Sequence, residues 1–191
     1  NIEYDNYDKN NTMEGLNKIV DTTKYLSDTI DDFRDFYKVD KSAQEFNLSN
    51  NLKQSVSITD ASLSENNIEV LYDLDESIDY YGFANELKQA ILNILQNAKD
   101  AFFIKQEDKK KFIFIKLEKI DNSIFINIKD NAGGIEEEFL PKVFIKDFTT
   151  KEEHKGTGIG LYMTKVIIEK SFNGSIKVEN SEFEYDSIQC K

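Results

Sequence analysis

The chain has one cysteine, one proline and one histidine among 191 residues. A single thiol, Cys190, excludes a disulfide framework and a cysteine-only metal site. The scarcity of proline, beside abundant Asn, Lys and Ile, reads as a base-composition bias rather than a functional signal. No apolar run approaches the length of a membrane span and no signal peptide is visible, so these residues are expected to be cytoplasmic and to make no membrane contact. Positive charge is also short. Lys and Arg number 24 against 36 Asp and Glu, a net charge of -12. With nothing to offset phosphate repulsion at long range, a general nucleic-acid surface is excluded.

What the chain does have is material for a core: 39% hydrophobic residues, with 14 Phe and 9 Tyr. It is organised around one stretch, Glu86 to Ala101 (ELKQAILNILQNAKDA). At 100° per residue, Leu87, Ala90, Ile91, Ile94, Ala98, Ala101 and Phe102 fall on one arc, which predicts an amphipathic helix burying that arc. Glu86, Asn93, Asn97 and Asp100 form a polar stripe along its edge. Asn93 and Asn97 stand one turn apart and can present two carboxamides to one ligand. A carboxamide oxygen is a neutral, hard donor, suited to Mg²⁺ whose other ligands are phosphate and water.

The remaining chain reads as follows. Residues 1–11 are a polar connector. From Thr12 to about Lys38, Leu16, Val20, Thr23, Leu26, Ile30, Phe33 and Tyr37 recur at steps of three and four, predicting a long helix whose seam needs a partner. Lys38 to Ser42 is a linker, Phe46 to Leu48 a short strand, and Ser49 or Asn50 caps a helix to about Ser57. Strands follow at 68–72 and 78–81 about an acidic turn at Asp75. Lys111 to Lys119 and Ser123 to Lys129 form a hairpin turning at Asp121-Asn122. Ile124, Ile126 and Ile128 share a face, and Asp130 has their parity, so its carboxylate is expected to point inward at the strand end, where it needs hydrogen bonds. Glu136 to Lys155 is long for a connection and is expected to be a functional loop, with a short helix near 137–143 and Phe144 and Phe148 as anchors. A helix from Leu161 to Lys170 ends at Asn173-Gly174, and 175–179 and 187–191 are expected as closing strands.

Three stretches in series carry a resemblance: the Asn93/Asn97 helix, Asp130-Asn-Ala-Gly-Gly-Ile135, and Gly156-Thr-Gly-Ile-Gly-Leu161 after VFIKDFTTK (Val143 to Lys151). Together they resemble the nucleotide boxes of the histidine kinase ATP-binding domain, in the superfamily shared with gyrase, mismatch-repair and chaperone ATPases. The resemblance covers about residues 40–191. It implies an α/β fold: a two-layer sandwich with a mixed sheet and an ATP lid, of the Bergerat type, preceded by one long helix. It also implies ATP and Mg²⁺ as cofactors, with Asn97 the metal ligand and Asn93 a second polar contact.

By the same resemblance, Asn93, Asn97 and Lys151 are the catalytic set. Nucleotide contacts are implied at Asp100, Asp130, Gly134, Ile135, Phe144, Phe148, Thr149, Thr150, Gly156, Thr157, Gly158, Ile159, Gly160 and Leu161. Asp130 would receive the adenine amino group, Gly134 would let the backbone approach the base, and the glycines before the last helix would cradle phosphates at its N-terminus. Ala132 takes the place of the first glycine of the DxGxG pattern. The net charge leaves room for one nucleotide, and Lys142, Lys146, Lys151 and Lys155 lie in the loop where its phosphates are expected. His154, in KEEHKG of that lid, reads as a solvated residue and not as a phosphoacceptor.

Thr29 to Tyr37 resembles the second helix of the dimerisation and phosphotransfer hairpin, giving a partial hairpin region over 1–40 and a catalytic domain over 41–191. The expected reading is a fragment of a longer protein, with the phosphoacceptor histidine on a first helix outside it. The implied partners are that helix, a response regulator receiver domain and a second copy in a full-length homodimer, with room for an inner-membrane sensor upstream. ATP hydrolysis is the main rival. The hydrolysing relatives place a glutamate one turn before the metal-binding asparagine, and here that position is Asn93. The other readings are a nucleotide-binding regulatory module without transfer activity, and a serine kinase of the same superfamily acting on an anti-sigma partner, which would not need the helix at 12–38.

Overall fold

The computed structural model describes residues 42–104, 109–151, 156–185 and 188–190, together with 12–17, 19, 20, 22, 23 and 27. The described positions between 12 and 27 are helical, and Met13, Leu16, Ile19 and Val20 are all more than half exposed. The Thr29 to Tyr37 stretch lies outside the described residues.

Strand β1 (Gln44–Asn47) leads without a break into helix α1 (Leu48–Glu65). The cap is Asn47, not Ser49 or Asn50: its Oδ1 accepts from the Asn50 N–H at 3.0 Å, and its Nδ2 donates to the Glu76 carbonyl at 2.9 Å. Ser49 is buried in the first turn. The helix continues eight residues past Ser57 because Leu63 extends the buried line of Leu48, Leu52 and Val56. It stops at Asn66, followed by Asn67 in the left-handed region (φ 55°).

β2 (Ile68–Leu74) and β3 (Asp79–Gly82) flank the acidic turn but do not pair with each other. β3 pairs antiparallel with β1, and β2 runs parallel to β4 (Lys111–Ile120), which pairs antiparallel with β5 (Ser123–Asp130). The turn therefore carries the chain from a three-stranded mixed sheet to a separate ribbon. In register, Val70 opposes Ile113 and Leu74 opposes Leu117, while Ile115 opposes Ile128 and Ile113 opposes Asp130. Ile113, Ile115 and Leu117 thus face α1 and α2 (Ala84–Ile104), which form the second layer over a single buried cluster.

The expected arc of α2 is largely buried, with one addition and two corrections. Leu95 is fully buried, in keeping with the packing of α3 (Gly160–Ser171) on this helix, whereas Ile94 and Ala101 are half-buried. Glu86, expected on the polar edge, is only 5% exposed. Its place in the first turn puts a carboxylate where the helix dipole favours one.

The end of the chain also departs from expectation. Residues 175–179 keep a period of two, with Ile176 and Val178 half-buried, but form no ladder among the described residues. The closing pair is β6 (Phe183–Tyr185) with β7 (Ile188–Cys190). It is set there by aromatic packing on the far face of the sheet. The ring centroids of Phe114 lie 5.2 Å from Phe183 and 5.0 Å from Tyr185, and Phe112 lies 5.1 Å from Tyr185.

Candidate functional site

The polar stripe of α2 meets the start of α3. Asn93 Nδ2 donates to the Gly160 carbonyl at 3.1 Å and to Thr164 Oγ1 at 3.4 Å, and its Oδ1 accepts from Gln89 at 3.4 Å. The nitrogen end of this carboxamide joins the two helices, while its oxygen is held within α2. Asn97 is used differently. Its Nδ2 donates to the Asn93 carbonyl of its own helix at 2.9 Å, and its Oδ1 accepts no hydrogen bond among the described residues. A half-buried, oriented oxygen results.

Among the described residues no side chain caps the first turn of α3. Ile159 occupies the N-cap position and is buried, and its side chain has no acceptor to offer the first amides. A Cβ on Gly160 would lie 3.8 Å from Asn93 Cγ and 4.0 Å from Asn97 Nδ2, so this helix start abuts the asparagines. The turn before it is closed by backbone. Gly158 has φ 65°, a Cβ there would come within 2.5 Å of the Asp147 carbonyl carbon, and the Asp147 N–H donates to the Gly158 carbonyl at 3.2 Å. Thr157 Oγ1 accepts from the Ile159 N–H at 3.3 Å, and Leu161 is half-buried in the first turn.

The loop before this turn reaches back to α2. Lys151 Nζ donates to Asp100 Oδ2 at 2.5 Å, and Gln96 Nε2 donates to Asp100 Oδ1 at 2.7 Å. Phe148 packs on Phe139 with centroids 5.8 Å apart, Phe144 is half-buried, and Thr149 Oγ1 accepts from the Lys151 N–H at 3.1 Å. Thr150, Lys142 and Lys146 are exposed, while His154 and Lys155 lie outside the described residues. The expected short helix at 137–143 is a single 3₁₀ turn, Leu140–Lys142, with Pro141 in it.

At the other border, Asp130 Oδ1 accepts from the Ala132 N–H at 3.0 Å, and Asn131 clamps the start of β4 through the Phe112 N–H and the Lys110 carbonyl. Ala132 belongs to the same buried cluster as Leu95 and Ala98, which places this turn beside α2. Gly133 and Gly134 have φ 88° and 72°. A Cβ on Gly134 would come within 2.7 Å of Asn180 Oδ1. Asn180 brackets the next residue: the Ile135 N–H donates to its Oδ1 at 2.8 Å and its Nδ2 donates to the Ile135 carbonyl at 2.6 Å.

Two participants escaped the sequence. Thr164, fully buried, shares the Gly160 carbonyl with Asn93, and its four-residue spacing from Gly160 was the available signal. Asn180 has no local signal, because its partner is 45 residues away. Among the described residues no three His, Cys, Asp or Glu side chains gather to hold a metal. The donors present are one carboxamide oxygen, one ammonium and the amides of a helix start, a set that suits a cation arriving with phosphate oxygens.

Residues 82–189 match the family described as histidine kinase-, DNA gyrase B-, and HSP90-like ATPase. The two-component sensor PprA of Pseudomonas aeruginosa is 34% identical over 103 residues, 52% of this chain and 11% of that protein. Sporulation kinase E of Bacillus subtilis is 32% identical over 133 residues, 69% of this chain and 17% of that protein. The chain therefore spans less than a fifth of the length of these curated relatives. Among solved structures, the catalytic domain of histidine kinase ThkA superposes with a TM-score of 0.65 at 27% identity, covering 74% of this chain and 89% of that one.

Proposed function

The chain belongs to the histidine kinase-, DNA gyrase B-, and HSP90-like ATPase family, and from that premise we propose that it is the ATP-binding catalytic portion of a sensor histidine kinase. In this reading residues 41–191 bind Mg-ATP and transfer its γ-phosphoryl group to a histidine on a phosphotransfer helix. Residues 1–40 belong to that hairpin region, through which the full protein dimerises, and the phosphoryl group passes on to a response regulator aspartate.

The observation that carries the reading is the uncapped first turn of α3 set against Asn97, with the Lys151 ammonium one helical turn further along α2. Amides of a helix N-terminus and an ammonium are what a polyphosphate requires, and a carboxamide oxygen suits the Mg²⁺ that would accompany it. Bound Mg²⁺ would neutralise charge on the phosphates, with Asn97 its protein ligand. Asp130, at the strand end, would accept from the adenine amino group. Transfer breaks the bond between the γ-phosphorus and its bridging oxygen and makes one to the histidine nitrogen, with ADP leaving. The protein supplies position and charge, not a base.

Hydrolysis is disfavoured by Asn93, whose carboxamide is committed to Gly160 and Thr164 and cannot take a proton from water. The nearest carboxylate on the stripe, Asp100, is paired with Lys151.

The test is a transfer assay with Mg²⁺, γ-labelled ATP and a separately supplied hairpin bearing the histidine. Acid-labile, base-stable label on the hairpin is the expected result. No label with ATP binding retained would replace the reading with a regulatory module. Asn97→Asp should weaken Mg-ATP binding severely by calorimetry, because it sets an anion beside the phosphates. Unchanged affinity would remove Asn97 from its role.

A further inference from the structure

Lys151 is held at three points. Its ammonium bonds Asp100 Oδ2 at 2.5 Å, its backbone N–H bonds Thr149 Oγ1 at 3.1 Å, and its stem lies along Gly156. A Cβ on Gly156 would come within 2.9 Å of Lys151 Cδ, 3.2 Å of Lys151 Cβ and 2.7 Å of Thr149 Oγ1. Asp100 is steadied in turn by Gln96 at 2.7 Å. The side chains of the ion pair are 26% and 24% exposed, so the pair is neither on open surface nor in a dry core.

Asp100 follows Asn97 by three residues and shares its helix face. The ammonium is therefore fixed beside the carboxamide whose oxygen accepts nothing among the described residues. An ammonium has three N–H groups, of which Asp100 takes one. A carboxylate at this point would repel a polyphosphate if the ammonium did not cover it.

We propose that Asp100 is a positioning residue, which aims Lys151 at the terminal phosphate of ATP without touching the nucleotide, and that residue 156 is glycine so that the lysine stem can pass. The inference rests on the nucleotide reading of the site. It separates two things that look alike on the polar stripe: Asn97 meets the ligand, whereas Asp100 acts through the lid.

The consequence is a change of sign. With Lys151 present, Asp100→Asn releases the ammonium and weakens binding of an ATP analogue with nitrogen between its β and γ phosphorus atoms. The expected loss is roughly two- to fivefold, the scale of an ion pair that solvent still reaches. Binding of ADP, which lacks the terminal phosphate, stays at the wild-type value, and Asp100→Glu restores the analogue. With Lys151→Met, the bare carboxylate repels, so adding Asp100→Asn tightens analogue binding by a similar factor.

The experiment is calorimetric titration of the wild type, the Asp100→Asn, Asp100→Glu and Lys151→Met variants and the Lys151→Met/Asp100→Asn double variant, each with the analogue and with ADP in Mg²⁺. Opposite signs of Asp100→Asn in the two backgrounds, confined to the analogue, support the proposal. The same sign in both, or an equal loss for ADP, overturns it and makes Asp100 a direct contact or a structural residue. Wild-type chain that binds neither nucleotide overturns the nucleotide reading itself, a failure distinct from unaltered binding by Asp100→Asn.

Discussion

At the end of β5, a Cβ on Gly134 would strike the tip of a side chain, Asn180 Oδ1 at 2.7 Å. Before α3, a Cβ on Gly158 would strike main chain, the Asp147 carbonyl carbon at 2.5 Å and the Phe148 N and O atoms at 2.8 Å. Both glycines hold positive φ, 72° and 65°. They border the same site, yet one turn is closed by an amide that can swing away and the other by a backbone that cannot. The first can yield, whereas the second fixes the start of α3 against Asn93 and Asn97.

The largest effect should come from Gly158→Ala. Left-handed backbone at a residue with a Cβ costs about 1–2 kcal/mol, and the clash with Asp147 and Phe148 adds overpacking of about 1–3 kcal/mol. A fall of the urea midpoint corresponding to the sum is expected. A loss no greater than that of Gly134→Ala would erase the distinction between the turns. Gly134→Ala should lose about 1–2 kcal/mol from φ, plus part of the two Asn180 bonds, each worth about 1 kcal/mol. Asn180→Ala sharpens the comparison, since in that background Gly134→Ala should retain the φ penalty alone. Additivity of the two substitutions would show that Gly134 and Asn180 do not meet.

A third turn, held by a hydroxyl rather than by glycine, gives the smallest effect. The Ser77 hydroxyl at 2.6 Å, then the Ser77 N–H at 2.9 Å, and Lys119 more weakly, hold the Asp75 carboxyl below the usual carboxylate range. A carboxyl lowered by folding adds stability that is complete above its ordinary value and is lost as pH falls through its lowered one. Ser77→Ala should bring the Asp75 titration back up, followed by NMR, and should flatten the acid limb of stability slightly. An unmoved titration would assign the shift elsewhere.

Much of this was legible in residue order. The α2 arc, the β4–β5 hairpin and its turn at Asp121, and the inward parity of Asp130 follow from periods of 3.6 and 2, which are local properties. The Asn93, Asp130 and glycine stretches were legible for a similar reason: each keeps its chemistry within a few residues. What failed was what depends on a distant partner. Asn47 displaced Ser49 and Asn50 as cap because it also ties down the turn at Glu76, 29 residues on. The closing strand moved from 175–179 to 183–185 because Phe183 and Tyr185 find Phe112 and Phe114 on the outer face.

By itself, then, the sequence determined most of the elements, the core face of α2 and the local stretches around Asn93, Asp130 and Gly158. Tertiary structure alone decided how those groups are spent. Asn93 and Asn97 are the same residue one turn apart, but Gly160 and Thr164 consume the first and leave the oxygen of the second. Lys151 stands apart from the other loop lysines in the sequence only by resemblance, and its ion pair with Asp100, 51 residues away, is a product of folding. Periodicity is set by neighbours along the chain, whereas the pairing of a hydrogen-bonding group is set by whatever folding brings within 3 Å of it.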